Sequence, residues 1–139
     1  MFESLWEFEG AWRLERTIVH RAGQRATLSG RAVLTRHGSG LLYHEQGMLH
    51  LEGQAPVMAE RRYLWSAGQA RMIEISFEDG GAFHTIDPER PQTHHHCAPD
   101  LYEVSYDFDK WPEWQSQWIV TGPRKSYRMT SIYQRLPAE

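Results

Sequence analysis

The chain has a single cysteine, Cys97, in 139 residues. No intrachain disulfide can form, so the fold is held by its core, and an oxidising compartment is not required. No apolar run approaches the ~20 residues that cross a bilayer as a helix. Positive charge is not in excess, since 15 Lys and Arg against 18 Asp and Glu leave a net charge of −3. The basic residues are also scattered, without a stripe interleaved with aromatics. Neither a nucleic acid nor an acidic membrane is therefore an expected partner. The N-terminus, Met1-Phe2-Glu3-Ser4-Leu5-Trp6-Glu7, lacks the basic and apolar regions of a signal peptide, and a cytoplasmic location is the expectation. A G-x-S-x-G elbow, a Walker loop and a dinucleotide fingerprint are all missing. Linkers, low-complexity tracts and internal repeats are missing too, so residues 1–139 read as one domain.

What the chain does have is aromatic mass: 12% Phe, Trp and Tyr, with six Trp and six Tyr. Large flat side chains at that density suit a sheet surface or a ligand cavity. Only the first residues carry helical spacing. Phe2, Leu5 and Trp6 fall at i, i+3, i+4, and the piece is short enough that it must plug one end of something larger. Gly10 ends it.

From Trp12 onward the period is close to two. Trp12, Leu14, Arg16 and Ile18 share one face of the first strand. Turn signals then recur at Ala22-Gly23-Gln24, His37-Gly38-Ser39-Gly40, Glu52-Gly53-Gln54, Ala67-Gly68-Gln69, Asp79-Gly80 and Gly122-Pro123-Arg124. A hairpin centred on Gly53 sets Tyr43 opposite Tyr63 and Glu45 opposite Arg61. A two-residue turn at Asp79-Gly80 sets Ile75 opposite His84 and Ile73 opposite Ile86. The stretch Asp87–Pro99, with three prolines and three consecutive histidines, reads as the one long loop. Tyr102, Val104, Tyr106 and Phe108 alternate cleanly, the pattern breaks at Lys110–Glu113, and Trp114, Ser116, Trp118 and Val120 resume it. The last strand carries Lys125, Tyr127, Met129, Ser131, Tyr133 and Arg135 on one face.

Consecutive strands joined by tight turns predict an all-β fold: an antiparallel up-and-down β-barrel of about 8–10 strands with a short N-terminal helical turn. Closure removes the two edges that an open meander would leave.

Gly10-Ala11-Trp12, just after the helical turn, resembles the G-x-W signature of the calycin superfamily, the lipocalins and fatty-acid-binding proteins. The resemblance implies a β-barrel closed at one end by the Trp beneath a basic residue of the last strand. Ser131-Ile132-Tyr133-Gln134-Arg135 looks like that strand, with Arg135 as the partner. Further segments, among them Tyr43-x-Glu45-x-Gly47, Phe83-His84 and Gly122-Pro123-x-Lys125-x-Tyr127, resemble a functionally uncharacterised bacterial family of small calycin-like barrels. The fatty-acid clamp of the intracellular relatives is only loosely matched, by Arg128 and Tyr133, which differ in strand parity.

Several inward positions are polar. Glu45 and Arg61 are expected to pair inside the barrel wall. With Tyr43, Tyr63, Trp65, His84, Trp118, Lys125 and Tyr127 they outline an aromatic-walled lumen, and His96 and Tyr102 are expected at its rim. Such a lining suits a small, flat, aromatic or carboxylate-bearing metabolite better than a long fatty acid. Two alternatives stay open. One is an enzyme on the same barrel, with His84 or Glu45 as acid/base and Arg61 or Lys125 stabilising an anion. The other is a filled barrel acting as an interaction module. His94 and His96 share a strand face at metal-ligand spacing, but no third and fourth ligand accompanies them, so neither a metal nor another cofactor is expected. A haem barrel with His84 or His96 as axial ligand lacks the glycine-rich N-terminal motif that resemblance would require.

Overall fold

Alternation with a period of two dictates antiparallel strands, and ten of them form. The computed structural model describes residues 1–138, without the side chain of Cys97. The strands are β1 (Gly10–His20), β2 (Arg25–His37), β3 (Gly40–Leu51), β4 (Val57–Ala67), β5 (Ile73–Ser76), β6 (Ala82–Ile86), β7 (Gln92–Cys97), β8 (Asp100–Asp107), β9 (Trp114–Thr121) and β10 (Ser126–Arg135). Chain neighbours pair except β6 with β7, and β1 also pairs with β10, giving the order β6-β5-β4-β3-β2-β1-β10-β9-β8-β7. The end strands β6 and β7 lie side by side without sharing the hydrogen-bonded ladder. The result is an up-and-down barrel closed except along that seam. Among the described residues no helix is long and apolar enough to cross a membrane.

Registers follow the turn chemistry. Gly53 takes φ +76°, and β3 and β4 then align Tyr43 with Tyr63 and Glu45 with Arg61. The Asp79-Gly80 hairpin aligns Ile75 with His84 and Ile73 with Ile86, as expected, but by a different route. The Phe77 N–H donates to the Gly81 carbonyl at 2.8 Å, so the loop is Glu78-Asp79-Gly80, one residue longer than a type I′ turn. A bulge beside Ile75/Ser76 absorbs the difference. Its consequence is that Phe83 and His84, adjacent in sequence, are both buried, which a regular strand forbids.

The Asp87–Pro99 stretch is not one long loop, because Gln92–Cys97 forms β7 against β8. Pro88, Pro91 and Pro99 lie outside those bounds, where they remove no ladder donor. β7 is also an end strand, so its pairing with β8 suffices to order it.

The N-terminal turn is a 3-10 turn over Leu5–Phe8. At three residues per turn the inward set becomes Phe2, Leu5 and Phe8 rather than Phe2, Leu5 and Trp6. Phe2, Leu5 and Phe8 are buried, while Trp6 is exposed with the Arg36 guanidinium 4.1 Å over its ring. The plug packs Phe8 edge-on to Trp65 and Trp114 at 5.3 and 5.5 Å. Gly10, at φ +123°, turns the chain from the plug into β1.

Trp12 and Arg135 close this end. They are register partners on β1 and β10, and the Arg135 guanidinium sits 4.0 Å over the Trp12 ring. The Trp12 indole donates to the Phe8 carbonyl at 2.9 Å, and Arg135 donates to the carbonyls of Glu9, at 2.9 Å, and Glu7. One guanidinium therefore ties the plug to the last strand. Replacing Arg135 with Met is expected to cost about 1–3 kcal/mol in urea denaturation, combining a cation–π contact with charged hydrogen bonds. Lys at this position should recover only part, since an ammonium lacks the two-pronged geometry that serves both carbonyls. A loss indistinguishable from zero would contradict this account of the closure.

Candidate functional site

Above the plug, side chains of one strand parity converge in the barrel interior. Arg16 on β1, Glu45 and Tyr43 on β3, and Ser131 and Tyr133 on β10 are all buried. Arg16 grips Glu45 with both prongs: Nη1 donates to Oε2 at 2.5 Å and Nη2 to Oε1 at 2.9 Å. Its Nε donates to Ser131 Oγ at 2.7 Å. Tyr43 Oη donates to Glu45 Oε1 at 2.7 Å. That proton is then committed, so in the 2.7 Å contact between the two phenols Tyr133 must be the donor.

This is a correction to the expected Glu45–Arg61 pair. Arg61 is indeed the register partner of Glu45, but the carboxylate reaches inward to Arg16, two strands away. Arg16 shares a face with Trp12, Leu14 and Ile18, and that parity was the signal by which sequence reasoning could have found it. The electrostatics follow from the geometry. Burial by itself would raise the Glu45 carboxyl, but the Arg16 charge and hydrogen bonds, with the Tyr43 hydroxyl and, least, the more distant Arg61 charge, outweigh it and hold the group below its usual range. Burial by itself would lower Arg16, and the Glu45 charge and hydrogen bonds, together with Tyr133 and Tyr43, outweigh it, so the guanidinium holds its proton more tightly than usual. Burial pushes Tyr43, Tyr106 and Tyr133 up, so all three are neutral phenols.

Tyr43, Glu45, Arg61, Tyr63, Trp65, His84 and Trp118 line one cavity, as expected from their parity. Arg16, Phe83, Tyr106, Trp114, Ser116 and Tyr133 line it as well. The enclosed part is narrow, with about 20 Å³ open to the centre of a water molecule, room for about one or two waters. Together with the funnel leading to solvent, the space free of protein is about 340 Å³.

His84 faces the cavity at the regular parity of β6, as the partner of Ile75, with Nε2 2.7 Å from the Tyr106 hydroxyl. Burial, helped by His95, lowers its pKa to about 3, so it is neutral through the physiological range. Arg61 is half-buried near the mouth, its guanidinium 5.6 Å from the Trp118 ring centre. Among the described residues it has no carboxylate within ion-pair distance.

The rim differs in detail from expectation. β7 pairs so that His95, not His96, is the partner of Tyr102. The His95 ring lies 5.2 Å from Phe83, while His96 is exposed on the outer face. The parity of β7 could not be read while its limits were unknown. His94, also outward, meets Glu103 at 3.4 Å, and no group of three metal-ligating side chains forms among the described residues. Tyr102 is half-buried, 5.5 Å from Phe83 and 6.1 Å from Trp118. Lys125 is on the rim rather than in the lumen, its side chain 48% exposed, with Nζ 3.4 Å from both Asp100 and the Tyr102 hydroxyl. Tyr127 is half-buried; burial raises its pKa, while the nearby charges of Arg61 and Lys125 pull the other way.

These features define a nearly closed antiparallel barrel with a plugged end, a polar interior and an aromatic mouth. The chain belongs to the family of unknown function DUF6314, whose model matches residues 8–135. No curated protein matches the sequence. Among solved structures the chain is similar to the S-type phycobiliprotein lyase CPES from Guillardia theta. That alignment has a TM-score of 0.61 and 11% identity, covering 98% of this chain and 94% of that chain. It also aligns with a de novo designed fluorescence-activating β-barrel at a TM-score of 0.47 and 11% identity, over 98% of this chain and 100% of that one. At 11% identity the likeness to the lyase is one of fold.

Removing Arg16 alone would strand the Glu45 carboxylate. Arg16→Met is expected to cost about 3–5 kcal/mol at neutral pH in chemical denaturation. The pH dependence carries the sign. In the parent, Glu45 is depressed, so its contribution to stability is complete above the unfolded carboxyl pKa and is lost as pH falls through the folded value. In the variant, desolvation acts unopposed by Arg16 and raises the pKa, so acidification relieves the variant. The stability gap between the two proteins should therefore narrow as pH falls. A gap of constant size, or one below about 1 kcal/mol, would place the pair among weak surface-type contacts.

Proposed function

We propose that this protein is a calycin-like barrel that binds a small, flat molecule carrying an anionic group, a carboxylate being the simplest, with the anion held by Arg61 at the mouth. The observation that carries this reading is the contrast between the two arginines of the cavity. Arg16 is neutralised by Glu45, whereas Arg61 faces aromatic rings with no carboxylate at ion-pair distance among the described residues. A guanidinium held in a half-buried aromatic setting is a ready partner for a planar anion, through two-pronged hydrogen bonds. Tyr63, Phe83 and Trp118 supply flat surfaces beside it, with ring centres 5.2–6.4 Å apart. Tyr102, packed on Phe83 and Trp118, and Tyr127, near the Arg61 charge, lie next to that lining, with Lys125 bonded to Tyr102.

Acid–base catalysis has less support. Glu45 is locked by three donated hydrogen bonds, and His84, with its pKa at about 3, has no proton to give as an acid near neutral pH. The narrow inner cavity favours a second reading, a filled barrel that acts as an interaction module.

Titration of tryptophan fluorescence with mono- and bicyclic aryl carboxylates and their neutral carboxamides separates the two readings. At least one carboxylate is expected to bind about tenfold or more tightly than its amide, a difference of about 1.4 kcal/mol. Arg61→Met is expected to remove that preference while changing stability by about 1 kcal/mol or less, because no ion pair is broken. Failure of every carboxylate to bind would favour the filled barrel.

A further inference from the structure

Two polar atoms at the cavity have no partner in the protein. His84 Nδ1 and Trp114 Nε1 are buried without a hydrogen bond, and both residues line the cavity that Arg61 lines nearer the mouth. His84 is 8% exposed and Trp114 1%, so solvent does not serve them from outside the barrel. Unpartnered buried groups are rare because each gives up the hydrogen bond it made with water. Looseness of the interior does not explain them, since Arg16, Glu45, Tyr43 and Tyr133 in the same cavity wall are mutually satisfied. Nor can either ring simply turn to find a partner. Trp114 is stacked flat on Tyr133 at 3.8 Å and flanked by Phe8 at 5.5 Å and Trp12 at 5.9 Å. His84 is held by the Tyr106 hydroxyl and stacked on its ring at 5.8 Å.

A water in the narrow inner cavity can complete them in the free protein, and the chemistry of the two atoms specifies which ligand group can take its place. An indole N–H only donates. Neutral His84 has two tautomers: if Nε2–H donates to Tyr106, Nδ1 accepts, and if Tyr106 donates, Nδ1–H is a donor. A hydroxyl satisfies Trp114 in either case, because its oxygen accepts and its hydrogen is free to serve His84. A carbonyl or carboxylate oxygen serves His84 in one tautomer only. An ammonium has no lone pair for the indole.

We infer that the inner end of this cavity is a subsite for a ligand hydroxyl, and that the molecule bound here is a hydroxylated aryl acid with its carboxylate at Arg61 and its hydroxyl at Trp114 and His84. The inference rests on the proposed binding of a planar anion and adds the identity of the opposite end. The distance sets the scale. Trp118, beside Arg61, and Trp114 are four residues apart on β9, about 13 Å of strand at about 3.3 Å per residue. Inward side chains shorten that span, so acids of one ring and of one ring with a short unsaturated spacer bracket it.

The test compares benzoate with 4-hydroxybenzoate and cinnamate with 4-hydroxycinnamate, by fluorescence titration and by 15N-edited NMR of the indole N–H groups. In at least one pair the hydroxylated acid is expected to bind about tenfold more tightly than its parent and to shift the Trp114 indole resonance where the parent does not. His84→Phe should bring the affinity ratio within about twofold of unity, and Trp114→Phe should do the same if that variant folds. Parents that bind as tightly as their hydroxylated forms, with the indole resonance unmoved, would overturn the hydroxyl subsite and leave the Arg61 anion site standing. A hydroxyl advantage that survives His84→Phe would overturn it too. If none of the four acids binds, the hydroxyl subsite fails, and the anion site fails with it when the bicyclic carboxylates do not bind either.

Discussion

A two-pronged ion pair between Arg16 and Glu45, out of reach of water, is the constraint on which the interior depends. Removing both charges from water is costly, and apolar side chains of similar volume could fill the same space at no loss of stability. What the pair confers is definition. Arg16 comes from β1, Glu45 from β3, and the Ser131 hydroxyl on β10 takes the remaining prong. A slip of one residue in any of these strands would turn a partner out to solvent and leave the others buried and unmatched. The pair therefore acts as a register lock across β10, β1, β2 and β3. Tyr43 and Tyr133 extend it toward the rings of Trp65 and Trp114, with which they stack.

The same pair divides the labour between the two cavity arginines. Because Arg16 satisfies Glu45, Arg61 keeps its charge uncommitted, though it sits directly across the ladder from that carboxylate. At the other end of the barrel Arg135 takes a third role, bridging the plug and the last strand over Trp12. Three inward or inward-leaning arginines are thus resolved into a register lock, a closure and, in the proposed reading, an anion site. The distinction comes from what surrounds each one: a carboxylate in hydrogen-bond contact, a ring with backbone carbonyls, or aromatic rings with the Tyr63 and Tyr127 hydroxyls.

Much of the fold was legible because strand parity and turn residues are local. Gly53 sets a register that holds to the residue, the Asp79-Gly80 signal one that holds at Ile73 and Ile75 beyond the bulge, and the inward sets of β1, β8, β9 and β10 follow from alternation alone. The Trp12–Arg135 closure was legible from a short family resemblance at the two ends of the chain. Three features were hidden for physical reasons. The partner of Glu45 depends on which side chain reaches across two strands, and cross-strand pairing describes only the nearest neighbour. Phe83 enters the core through a bulge whose extra residue no alternating pattern reveals. β7 lies between prolines and carries three histidines in a row, so its existence and its parity come from β8, and His95 displaces His96 at the rim.

The measurement that bears most directly on this account is a pair of double-mutant cycles read by chemical denaturation, one for Arg16→Met with Glu45→Gln and one for Arg61→Met with Glu45→Gln. The account predicts a coupling of about 2–3 kcal/mol for Arg16 with Glu45 and less than about 0.5 kcal/mol for Arg61 with Glu45. Equal couplings, or a larger one for Arg61, would mean that Arg61 is the committed partner, and the division of roles between the two arginines would be wrong.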